Sequence, residues 1–197
     1  YAASIDAFIA LYEQTLNIEW LLKARDLTNY TIDHFYDDQS KMFFFTSNMD
    51  KNLVSRSLEY RDNVIPASNS MMAKNIFKLG HFFGNDHYSK IAKTQLNNVK
   101  PEIQAYGSGY SNWLDLMLNY TTPFYEIAII GDTAFEKISE LNKHYIPNKI
   151  SLGSLKEESL PLLENRYVEN KTFIYVCVNK SCKLPVSTVE DAVHQLK

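Results

Sequence analysis

Cysteine is scarce. Cys177 and Cys182 are the only two in 197 residues, so no second pair exists to complete a closed four-ligand zinc site. Their spacing is Cys-x4-Cys, not Cys-x-x-Cys, which excludes a thioredoxin-type redox motif in this chain. No run of about 18 apolar residues occurs, so no transmembrane helix is written here. A strong excess of either charge is missing too. The net charge is −3 and no basic stripe appears, which gives no reason to expect nucleic acid. The histidines, His34, His81, His87, His144 and His194, are scattered without metal-ligand spacing. "IAIIGDTAF" has one glycine and no Lys-Ser/Thr, so it does not read as a nucleotide site. Neither a metal nor a cofactor is expected, and the expected compartment is the cytoplasm.

What is present is an ordinary soluble composition, 45% hydrophobic and 22% charged, long enough for one large domain or two small ones. Aromatics are plentiful: 13 Tyr, 11 Phe and 2 Trp. Such residues fill cores, and they also wall saccharide clefts. Here Tyr1, Phe43, Phe44, Phe45, Tyr60, Tyr106, Tyr110 and Trp113 are candidates for either role. The chain opens inside a helix pattern, with no initiator Met or signal peptide, and reads as the C-terminal piece of a longer protein.

Apolar spacing predicts helices over 2–15, 18–35 (Asn17 as cap), 67–83 (stopped by Gly84), 86–104 (Asp86 as cap) and 110–120. "MFFFTS" predicts a short extended segment. After Pro123 the pattern changes. "YEIAIIGD", "NKISLGS" and "KTFIYVCVN" predict strands, a helix lies at 133–144, and "STVEDAVHQLK" closes the chain as a helix capped by Ser187 or Thr188. The expected organisation is therefore mainly α: helical hairpins over 1–122, then a small α/β subdomain over 123–197. Successive helix pairs, each followed by an aromatic loop, suggest part of an α/α toroid.

The densest polar knot is "LEYRDNVIPASNS". Glu59 and Asp62 have the chemistry of an acid–base pair for sugar isomerisation or hydrolysis, with Arg61, Asn69 and Ser70 positioning substrate. The same residues also suit local hydrogen bonding before a helix. His81, at the end of the third helix, is a further acid–base candidate. For Cys177 and Cys182 three readings stay open: a loop disulfide, a reduced structural pair, or redox exchange with another domain.

Together, "YAASIDAFIALYEQTLNIEWLLKARDLTNYTIDHFYD", "DNVIPASNS", "YEIAIIGD" and "YVCVNKSCKLPVSTVEDAVHQL" resemble the C-terminal region of the thioredoxin-domain-containing YyaL-like / spermatogenesis-associated protein 20 family. The family pattern Tyr-Asp-Gly-Ala-x-Pro-Ser-Gly-Asn-Ser is matched at Asp62, Pro66, Asn69 and Ser70; Arg61, Ala67 and Ser68 depart from it. The resemblance implies a long parent with an N-terminal thioredoxin-like domain. It also implies an (α/α)6 toroid similar to N-acylglucosamine 2-epimerases and six-hairpin glycosidases. In that reading this chain is an incomplete (α/α)6 toroid followed by a small α/β appendage. Its partners would be the missing upstream parts, a carbohydrate, or a second copy covering the open face. Two functions follow as expectations: a fragment, inactive alone, of a sugar enzyme, or a non-catalytic scaffold supporting the thioredoxin-like domain.

Overall fold

The architecture is set by what each amphipathic segment finds to cover it. The computed structural model describes residues 1–51 and 55–196. Helices α1 (Ala2–Thr15) and α2 (Ile18–Phe35) are joined by Leu16, at φ 55°, and Asn17. The Asn17 side chain accepts from the Glu19 amide, as a cap should. Strands β1 (Tyr36–Asp37) and β2 (Met42–Phe43) form a two-residue antiparallel ladder, so the aromatic run is strand only at its start.

The second helix pair is α3 (Ser68–Phe83) and α4 (Asp86–Ala105). Gly84 ends α3 in the left-handed conformation, φ 60°. The cap of α4 is Asn85 rather than the expected Asp86. Once Gly84 has turned the chain, Asn85 is the extended residue, and its Oδ1 accepts from the His87 and Tyr88 amides. A short 3₁₀ turn (Gly107–Tyr110) leads into α5 (Ser111–Thr121).

The remaining elements are β3 (Tyr125–Gly131), α6 (Ala134–Leu141), β4 (Lys149–Ser154), β5 (Thr172–Val178), β6 (Ser181–Cys182) and α7 (Val189–His194). Thr188 caps α7; residue 197, the end of the expected helix, lies outside the described residues. The sheet order is β4-β3-β5-β6, with β3 parallel to β4 and antiparallel to β5. Between β5 and β6 the chain turns on Asn179 and Lys180, both at positive φ, as a two-residue hairpin requires.

Strand β3 is covered on both faces. Ala128 and Ile130, with Ile150, Leu152 and Cys177, join the core built by α1, α3, α4 and α5. Ile127 and Ile129, with Ile174 and Val176, pack on Ala134, Ile138 and Leu141 of α6 and on Val189 and Ala192 of α7. This accounts for the unbroken apolar run of β3. Each such fully buried aliphatic side chain contributes about 1.5–3 kcal/mol.

The expected fold class, a mainly α incomplete (α/α)6 toroid with an appendage, is thereby corrected. The chain is a mix of α and β, with seven helices and two small sheets among the described residues. The helical layer closes on the sheet: Glu13 of α1 accepts from the Ser151 amide of β4, and Phe77 of α3 packs its ring 4.8 Å from Phe124. Helical periodicity shows that a face needs covering. It does not say whether a helix or a sheet will cover it. Among the described residues no helix is long and apolar enough to cross a membrane.

Candidate functional site

The knot at 58–70 sits at the N-terminus of α3. The first amides of a helix have no partner within it. Here they are met from the preceding loop. Asp62 Oδ1 accepts from the Ala67 amide at 3.0 Å, Glu59 Oε2 from the Ser68 amide at 3.2 Å, and the Glu59 carbonyl from the Asn69 amide at 3.2 Å. Asp62 also reaches a second helix. Its Oδ2 accepts from the Asn112 amide at 2.9 Å, at the start of α5. One buried carboxylate therefore caps two helices, with the anion where helix dipoles favour it. The Ser70 hydroxyl donates to Asp62 Oδ1 at 2.6 Å and also lies 2.9 Å from the Ala67 carbonyl.

Asn69 is fully buried and uses both ends of its amide. Oδ1 accepts from the Phe43 amide at 2.7 Å and from Gln95 Nε2 at 3.2 Å. Nδ2 donates to the Phe43 and Glu59 carbonyls, each at 2.8 Å. It thus stitches β2, the knot and α4 together.

Arg61 points elsewhere, to the surface. Its guanidinium donates to Glu102 Oε2 at 2.7 Å and to the Tyr110 hydroxyl at 3.0 Å; Tyr110 donates in turn to Glu102 at 2.5 Å. The Tyr110 hydroxyl first, and Arg61 second, hold the Glu102 carboxyl below its ordinary range. Burial, and then donation to Glu102, raises the Tyr110 phenol.

Of the expected site residues, Asp62, Ser70 and Asn69 are thus brought together with the backbone of Glu59. The Glu59 side chain is exposed at the edge of this group, and Arg61 is outside it. Cys177 and Cys182 lie far along the chain, joined by a disulfide across β5 and β6. Arg166 places a guanidinium nitrogen 3.3 Å from Cys182 Sγ. Four of the eight candidate aromatics, Tyr1, Phe43, Phe44 and Phe45, line one open cavity of about 260 Å³ with Phe35, Ser68 and Met72. Trp113 and Tyr110 are core residues, and Tyr106 is exposed. In the turn after β3 the Thr133 amide donates to Thr172 Oγ1 at 3.0 Å and so is not free to meet a phosphate.

Sequence reasoning missed Asn112, Glu102 and Gln95, which are 50, 41 and 26 positions from their partners Asp62, Arg61 and Asn69. No local spacing signals them. It also missed Glu126, to which His81 is paired. There a signal did exist: a carboxylate inside an otherwise apolar strand.

No protein-family model matches the chain. The chain is 24% identical to human spermatogenesis-associated protein 20 over 95% of its own length, and 23% identical to the rat protein of that name over the same share. It is also 23% identical, over 97% of its length, to an uncharacterised protein of Caenorhabditis elegans. It spans about a quarter of the length of these relatives: 25% of the mammalian proteins and 27% of the nematode one. The family to which the sequence motifs point is thus the one these comparisons return, and the chain resembles a fragment of spermatogenesis-associated protein 20, matching one part of a larger protein.

Proposed function

We propose that the 58–70 knot is architectural, and that this region serves a longer protein as a supporting scaffold for its upstream parts, the thioredoxin-like domain among them. One observation carries this reading. Both Asp62 oxygens are occupied by helix amides, with the Ser70 hydroxyl added on one of them. A general acid or base must reach a substrate proton, directly or through one water. A buried carboxylate already holding two helix ends is poorly placed to do so. The test is Asp62→Asn with Glu59→Gln in the full-length protein. The scaffold reading expects lost stability and unchanged affinity for any sugar the folded protein binds. Affinity lost at unchanged stability would sink it.

A second reading, a carbohydrate site, is favoured by the aromatic cavity. Sugar rings stack on aromatic faces, and Phe43 to Phe45 with Tyr1 and Phe35 supply such faces beside the Ser68 hydroxyl. Glu59 does not line the cavity, but its Oε2 accepts from the amide of Ser68, which does. Calorimetry against free and N-acylated sugars decides. Saturable binding abolished by Phe45→Ala supports this reading, and no binding by the folded protein removes it.

A further inference from the structure

The far end of α3 holds a second cluster, unconnected with the knot. His81 lies 12 residues beyond Asn69, about 18 Å along the helix. Its Nδ1 is 2.7 Å from Glu126 Oε1. Glu126 is wholly buried in β3, where an unpaired carboxylate is costly. Its other oxygen accepts from the Lys180 amide at 2.8 Å, at the tip of the β5–β6 hairpin. The imidazole is wedged between Phe77 and Phe124, with ring centres 4.6 and 4.9 Å away. The carboxylate fixes the ring position, and in the neutral imidazole it also fixes the tautomer: Nδ1–H donates to Glu126, which leaves the lone pair on Nε2. Nε2 has no protein partner among the described residues. The ring borders an open cleft of about 280 Å³ with a mixed polar and apolar lining, supplied by Gly80, Ser89, Asn179, Lys180 and Asp86 besides the pair itself.

A carboxylate-oriented imidazole with a free Nε2 beside a small cleft has the parts of a nucleophilic or basic catalyst. We propose that His81, positioned by Glu126, is a catalytic residue acting on small acyl esters bound in this cleft. Nε2 attacks the acyl carbon, and the ester C–O bond breaks with the electron pair leaving on the alcohol oxygen. The acyl-imidazolium, its charge facing Glu126, is then hydrolysed by water. That step returns the acid, a proton and the free imidazole. This goes beyond a supporting role and does not depend on how the 58–70 knot is read.

The probe is p-nitrophenyl acetate with the full chain, following p-nitrophenolate release and mapping acetylated histidine by mass spectrometry. The expected result is acetyl transfer to His81 ahead of His34, His87, His144 and His194. His81→Gln should slow release by roughly 100-fold, the range for a positioned base or nucleophile. In Glu126→Gln, release should fall while circular dichroism is unchanged, and long-range ¹H–¹⁵N spectra should show His81 losing its single tautomer. A merely structural role for Glu126 would leave the histidine tautomer unlinked to the rate. Release unaltered by His81→Gln overturns the proposal. If that variant fails to fold, the wild-type map decides: acetylation of His81 no faster than of the other four histidines overturns it equally.

Discussion

Replacing Asp62 by alanine separates the two uses to which that carboxylate could be put. The side chain holds the Ala67 amide, the Asn112 amide and the Ser70 hydroxyl. Each helix cap lost costs about 1–2 kcal/mol. Hydrogen bonds to a charged group are worth about 1.5–3 kcal/mol each. Because the caps are themselves such bonds, the two ranges overlap and are not summed. With α3 and α5 losing a cap together and Ser70 left without its acceptor, a loss of about 4 kcal/mol is expected. For a chain of this size that lowers Tm by roughly 8–16 °C. Asp62→Asn keeps an acceptor on one oxygen only, and should lose about half as much. The assay is urea unfolding by circular dichroism, with the slope checked for constancy between variants. A loss under about 1 kcal/mol for Asp62→Ala would refute the double-cap reasoning, since no surviving group could satisfy both helix ends at that strength.

Three further outcomes are expected. Asn69→Ala strands the Phe43 amide and carbonyl in a buried site, while the Glu59 carbonyl keeps the Asn69 amide, and should cost about 3 kcal/mol by the same unfolding assay. Gly131→Ala should fold poorly or not at all, because at φ 129° its Cβ would lie 2.0 Å from the Lys171 carbonyl oxygen; thermal melts of the variant check this. Glu102 supplies a pH signature. Its folded pKa is lowered from the ordinary 4.5, so its contribution is present above that value and is lost as pH falls through the depressed one. Arg61→Ala should raise the Glu102 midpoint seen by carboxyl ¹³C NMR, modestly, because the pair is half exposed and screened.

Much of the fold could be read from local pattern. The helices at 2–15 and 18–35 coincide with α1 and α2, because apolar spacing and the Asn17 cap are short-range signals. The strands after Pro123 were legible for the same reason. The architecture was not. Residues 5, 9, 76 and 79 announce buried helix faces, yet the sheet that helps cover them begins more than 40 positions after the last of these. The polar knot was legible as a place and illegible as a mechanism. Asp62 and Asn69 stand out in sequence, but their decisive partners are Asn112, Phe43 and Gln95, supplied by tertiary folding alone. Glu126 shows the converse. A lone acid in "YEIAIIGD" contradicts the strand's burial, and the contradiction is resolved only when His81 arrives from another helix.

The bond between Glu13 and the Ser151 amide has a consequence for how the molecule behaves in a crowd. β4 is an outer strand, and outer strands offer unpaired amides on which another chain can template. Here a helix carboxylate occupies one of those amides, and Leu16 lies over Gly153, within 3.2 Å of where a Cβ would stand. At these two positions the strand is obstructed from within the same polypeptide, which disfavours edge-to-edge pairing along that border.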